Sequence, residues 1–116
     1  MQFDVERTTV LGRPALSVRG ELDIATAPRL AEATESQLSQ QPRALVVDLT
    51  GTTFLDSSGA RTLAIIARRA AVAGVSLEVV CPRANRPVRL VVDLLELRAV
   101  VPIVESPSLM DDEVGP

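Results

Sequence analysis

The chain has 116 residues, of which 47% are hydrophobic and 2% aromatic, with a net charge of −3, one cysteine and no histidine. The missing histidine excludes Ser-His-Asp and Cys-His nucleophile systems and histidine metal sites, and one cysteine cannot form a thiolate cluster. The acidic balance argues against nucleic acid, and no apolar run nears the ~20 residues of a membrane-spanning helix.

Phe3, Val5 and Arg7 alternate with polar residues, as do Leu16, Val18 and Gly20. With Leu11-Gly12-Arg13-Pro14 as a turn, they predict a hairpin of two strands. Thr26 is placed to cap a helix that begins at Ala27-Pro28. Its inward face is Ala27, Leu30, Ala31, Thr34 and Leu38, and Gln40-Gln41-Pro42 ends it. Ala44 to Val47 reads as a strand buried on both faces.

Gly51 to Leu55 reads as a loop, and Asp56-Ser57-Ser58-Gly59 opens a second helix. Its apolar stripe is Ala60, Leu63, Ala64, Ala67 and Ala71, with Gly74 as the stop. Val75 to Val80 is another buried strand, and Cys81 after it reads as a small buried hydrophobe. Asn85-Arg86-Pro87 starts a third helix with Val88, Val91, Val92 and Leu95 inward. Val100 to Val104 is a last extended segment, Ser106-Pro107 a cap for a final acidic turn, and fraying is expected from Met110.

The order β-β-α-β-α-β-α-β predicts an α/β fold: a mixed, mostly parallel sheet with an N-terminal hairpin and helices packed against it. One domain over 1–116 is expected, with an ordered core over about 3–104. Met1-Gln2-Phe3-Asp4 lacks the basic and apolar regions of a signal peptide, so a cytoplasmic protein is expected.

In such sheets functional groups gather at the carboxyl ends of strands and the amino ends of helices. Gly20-Glu21-Leu22-Asp23 and Asp56-Ser57-Ser58-Gly59 stand at such ends. A helix N-terminus has unpaired N–H groups and partial positive charge, so a phosphate on a serine there is tolerated by the fold while changing the surface. The same residues also suit plain helix capping, and Glu21 and Asp23 suit plain loop acids. Phe54-Leu55 suits either core or an apolar loop that a partner covers.

Gly20-Glu21-Leu22-Asp23, Val46-Val47-Asp48-Leu49 and Phe54-Leu55-Asp56-Ser57-Ser58-Gly59 together resemble the anti-sigma factor antagonists, the bacterial STAS domain. The resemblance runs from about Phe3 to Val104. It implies that Ser57 is phosphorylated by an anti-sigma factor with a serine kinase fold, with Ser58 as a secondary position. The unphosphorylated chain would bind that factor and free a sigma factor, and a serine phosphatase would restore the phosphorylated chain. The resemblance matches Asp23 to an acid important for that partner interaction, and partner contacts are expected through Glu21, Asp23, Asp56, Ser57, Ser58, Gly59 and Arg61. It implies no cofactor and no metal in this chain, because ATP belongs to the kinase.

Ala60-Arg61 departs from the small or aliphatic pair common after that glycine. Arg61 lies about one turn from Ser57, where it suits either a phosphate partner or a solvated surface. Leu94-Leu95-Glu96-Leu97 lacks the glycine often found at the end of the third helix. Three other readings remain: a receiver-type phospho-acceptor at Asp48, which the absence of lysine disfavours; a STAS scaffold or small-ligand-sensing module; and an enzyme, disfavoured because only carboxylates are at hand as acids and bases.

Overall fold

The computed structural model describes residues 2–108. The elements are β1 (Asp4–Val10), β2 (Arg13–Leu22), α1 (Ala27–Leu38), β3 (Ala44–Asp48), β4 (Thr52–Leu55), α2 (Ser57–Val72), β5 (Ser76–Val80), α3 (Arg86–Leu94), a 3-10 turn (Leu97–Ala99) and β6 (Ile103–Val104). The strands run in the order β1-β2-β3-β5-β6, with β4 paired to β2 beyond β3. Among the described residues β1 and β2 pair antiparallel, and the other strand pairs are parallel. This is the mixed, mostly parallel sheet with a leading hairpin that the element order predicts.

The hairpin turn is shorter than expected. Val10 pairs with Arg13, so only Leu11 and Gly12 lie between the strands, and both take positive φ (52° and 79°). That conformation follows the twist of the flanking strands, and it lets Arg13 and Pro14 enter β2.

Alternation along the strands sorts the side chains to two faces. Leu16 and Val18, Leu45 and Val47, and Leu77 and Val79 join Leu30, Leu63, Ile66, Val88 and Val92 in one core. On the other face Ala15, Val46 and Val80 form a small second cluster with Val10 and Val104.

The segment read as a loop, Gly51 to Leu55, is a strand over Thr52–Leu55. β2 pairs with β3 through Ala15, Leu16 and Ser17, then shifts register between Gly20 and Glu21 and pairs with β4. Four residues with two exposed between two buried ends carry too little periodicity to mark a strand. Tertiary bonds fix it instead. The buried Thr52 hydroxyl donates to the Val18 carbonyl (2.8 Å), and the Asn85 amide donates to the carbonyls of Leu49 (3.0 Å) and Thr52 (2.8 Å).

The helix faces also shift slightly. α1 buries Gln37 beside Ala27, Leu30, Thr34 and Leu38, while Ala31 is half-buried. α2 buries Gly59, Ala60, Leu63, Ile66 and Ala70; Ala64 and Ala67 flank that stripe, and Ala71 is exposed. The alanines on both sides hid the true centre of the stripe. In α3, Val88 and Val92 are buried, but Leu95 is 49% exposed. Glu96 takes the left-handed conformation (φ 51°) where a glycine is favoured, ends the helix and turns Leu97 into the core.

The final extended segment shortens to Ile103–Val104. Ser106 to Ser108 form no helix. The remainder of the expected acidic turn, and the expected fraying, lie outside the described residues. No helix of the described residues is long and apolar enough to cross a membrane.

Candidate functional site

β2 and β4 bring the two motifs together. Glu21 pairs with Phe54 and Leu22 with Leu55, so both strands end at one level; each is followed by an aspartate, which leads at once into α2 after β4 and through a short loop into α1 after β2. Leu22 and Leu55 point into the core, whereas Glu21 and Phe54 are exposed side by side. Phe54-Leu55 is thus divided: Leu55 is core and Phe54 is surface, 46% exposed.

The two glycines make this junction possible. Gly20 has φ +96°, and a Cβ there would come within 2.9 Å of the Gln2 carbonyl oxygen and of Phe3 Cα. Only glycine takes that backbone angle freely, and it sits where β2 shifts register. Gly59 lies against the Leu22 carbonyl oxygen and Leu55 Cδ1, leaving no room for a side chain. The first turn of α2 therefore rests directly on the end of β2.

The acids have structural duties. Asp56 is the N-cap of α2, and its Oδ1 accepts from the Gly59 N–H (2.9 Å). Asp23 Oδ1 accepts from the N–H groups of Ala25 (3.0 Å) and Thr26 (3.1 Å), an Asx turn that leads into α1. Thr26 stands at the N-cap position as expected, but its hydroxyl does not cap the helix. It accepts from the Asp23 N–H (2.9 Å) and donates to the Glu21 carbonyl (2.6 Å), closing the loop between β2 and α1. Glu21 makes no ion pair among the described residues.

Ser57 is the first residue of α2 and is exposed; Ser58 follows it, half-buried. Neither hydroxyl makes a hydrogen bond among the described residues. Capping is thus the work of Asp56, and the Ser57 hydroxyl is left at the surface beside the positive end of the helix. Arg61, exposed, follows one turn later on the same helix and has no ion pair among the described residues. Chemically this is an accessible hydroxyl at the start of α2, next in sequence to the capping Asp56.

Ile24, 75% exposed directly after Asp23, is an apolar surface side chain beside the site that sequence reasoning missed. Its only signal was an isoleucine in a loop with no periodicity to bury it.

Asp48 is not part of an acidic cluster. Its Oδ1 accepts from the N–H (2.9 Å) and hydroxyl (2.6 Å) of Thr50, a local turn after β3. Among the described residues no group of three or more His, Cys, Asp or Glu could hold a metal ion.

Comparison with known proteins follows the same outline. A model of the STAS domain family matches residues 4–108. The anti-sigma-F factor antagonist RsfB of Mycobacterium tuberculosis is 43% identical over 53 residues, which are 46% of this chain and 43% of that protein. The match thus spans less than half the length of that curated relative. The crystal structure of an anti-sigma factor antagonist from Mycobacterium paratuberculosis has a TM-score of 0.73 at 27% identity, covering 90% of this chain and 87% of that one. The anti-sigma factor antagonist SpoIIAA in its unphosphorylated form shares the fold, with a TM-score of 0.63 at 20% identity over 89% of this chain and 88% of that one.

Proposed function

The chain belongs to the STAS domain family, and from that premise we propose that it is an anti-sigma factor antagonist switched at Ser57. In this reading the unphosphorylated chain binds an anti-sigma factor with a serine kinase fold, which then releases its sigma factor. Phosphorylation of Ser57 by that kinase ends binding, and a serine phosphatase restores it. The chain is a regulatory binding domain, not an enzyme, and ATP sits on the kinase.

One observation carries the proposal. Ser57 offers an exposed hydroxyl at the first position of α2 while Asp56 performs the capping. A phosphate there adds about −1.5 to −2 charge beside Glu21, Asp23 and Asp56. The fold tolerates it, because the helix terminus favours negative charge and no hydrogen bond of Ser57 is lost. A partner docked on the same acids meets a changed field and a bulkier group. Glu21, Asp23, Phe54, Ser57 and Ser58 form the contact surface, Gly59 seats it, and Arg61 borders it.

The reading is supported by the curated relative and the solved structure from Mycobacterium paratuberculosis, both described as anti-sigma factor antagonists. A ligand-sensing role draws on one feature, an open crevice of about 410 Å³ lined by Thr50, Thr52, Thr53, Pro82, Ala84 and Asn85. No charged side chain lines it, so it offers little to orient a charged metabolite.

The test is to isolate the chain from its native host and place its phosphate by fragment-ion mass spectrometry. Trypsin releases Ala44 to Arg61, which holds Thr50, Thr52, Thr53, Ser57 and Ser58 together. The proposal expects the phosphate on Ser57; a phosphate on another residue, or none under any growth condition, contradicts it.

A further inference from the structure

α2 carries Arg61, Arg68 and Arg69 and no acidic residue, although the whole chain has a net charge of −3. Arg69 is committed, since its Nε and Nη2 hold the Glu35 carboxylate (2.7 and 2.8 Å). Arg61 and Arg68 are exposed and have no ion pair among the described residues. Between them runs an apolar groove of about 470 Å³, lined also by Ala64, Ile65, Ala71 and Val100. Ile65 is 50% exposed and Val100 61% exposed, and Val72 continues the strip at 75%.

Single exposed hydrophobics are ordinary, but here several share one face and are flanked by two guanidinium groups that make no ion pair among the described residues. Positions 61, 65, 68 and 72 recur at helical spacing, so they form one stripe along the outer side of α2. That stripe leads away from Ser57, which lies one turn before Arg61.

We propose that this groove docks an acidic amphipathic helix of the protein partner that also engages Ser57. Its apolar face covers Ile65, Ala71 and Val100, and its carboxylates pair with Arg61 and Arg68. The charge pattern names the occupant. An apolar floor wants an apolar helix face, and two exposed arginines on its margins, without an ion pair among the described residues, want acids. The polarity also sets orientation. The strand ends and the N-cap beside Ser57 are acidic through Glu21, Asp23 and Asp56, whereas the groove that follows along α2 is flanked by Arg61 and Arg68, so the partner must present cations to the first and acids to the second. The identity of the partner as the one that engages Ser57 rests on the proposed function; the chemistry of the groove does not.

The probe is a synthetic amphipathic helical peptide with a leucine and alanine face flanked by glutamates, beside a counterpart with lysines in place of the glutamates. Each is titrated at low salt into the ¹⁵N-labelled full chain and into the Arg61→Glu/Arg68→Glu variant, with amide shifts followed by NMR. Both arginines are exposed, so the variant keeps the fold, which its spectrum verifies. The proposal expects about a tenfold preference for the glutamate peptide, shifts centred on Ile65, Ala71 and Val100, and a reversed preference in the variant. Equal binding of both peptides, no binding, an unchanged preference in the variant, or shifts elsewhere would overturn it. So would broadening of the groove amides with chain concentration alone, which would make a second copy the occupant. The peptides do not report on Ser57 phosphorylation. Their failure leaves the serine switch standing, and equal capture of a partner by Ser57→Ala and Ser57→Glu leaves the groove standing.

Discussion

Gly59 lies against the carbonyl oxygen of Leu22, so that a Cβ at 59 would fall onto that oxygen and within 2.7 Å of Leu55 Cδ1. The contact seats α2, and with it Ser57, on the end of β2 where Asp23 begins. A methyl group there must push the helix or the strand aside, because the nearest obstacle is backbone. Gly59→Ala is expected to lower stability by about 1–3 kcal/mol, as overpacking does. The exposed Arg61→Ala should stay within about 0.5 kcal/mol of wild type. Urea unfolding of the two variants checks both, and Gly59→Ala should also shift the amides of Leu22 to Ala25.

Asp23 has two separable roles, the acceptor of two backbone N–H bonds and a negative charge at the site. Asn keeps the oxygen and removes the charge; Ala removes both. Asp23→Ala is expected to lose about 1 kcal/mol of stability, and Asp23→Asn much less. Both should weaken partner binding if the charge is what the partner reads. Thermal melts alongside a binding assay divide the two roles.

These bonds explain how much of the molecule was legible in its residues. Strands of uniform apolar character, the capped start of α2 and the stop at Gly74 follow from local pattern alone. β4 does not, because its two buried positions are Thr52 and Leu55 and its pairing partner is β2, more than thirty residues earlier in the chain. Asn85 reads as a helix start, yet its amide reaches back to Leu49 and Thr52 and pins the turn before β4. Such long-range bonds leave no periodic trace. At the site, Ser57 and Asp23 stood out through the resemblance of their motifs to the anti-sigma factor antagonists, since position alone suits plain capping and loop acids equally. Ile24 and the groove along α2 stayed hidden because exposure, unlike burial, is set by what the rest of the chain fails to cover.

Glu78 supplies a pH dependence. Burial works against its charged form, but the Ser108 N–H (3.0 Å) and Arg13 Nη1 (3.2 Å) hold its carboxylate, and together they keep its pKa below the usual value of 4.5. A pKa lowered by folding adds stability above the unfolded-state pKa, and that stability is lost as pH falls through the folded-state pKa. Glu78→Gln should therefore be less stable than wild type at neutral pH. The gap should close as pH falls below that usual value and through the lowered one. Urea midpoints of both proteins across that range test it; a gap that widens in acid would contradict the assignment.

Cys81 is fully buried, and burial raises its thiol pKa against the opposing pull of the nearby Arg89. A thiol held protonated and covered reacts slowly. Labelling by an aromatic disulfide reagent is expected to be much slower for the native chain than in urea. Equal rates would place the thiol at the surface.

Control of binding by Ser57 can be read from capture out of the native host's lysate on three baits: wild type, Ser57→Ala and Ser57→Glu. Captured proteins are identified by mass spectrometry. Wild type and Ser57→Ala are expected to retain the same protein with a serine kinase fold, and Ser57→Glu is expected to lose it. Equal retention by Ser57→Ala and Ser57→Glu would show that binding is not controlled at Ser57, and would contradict it.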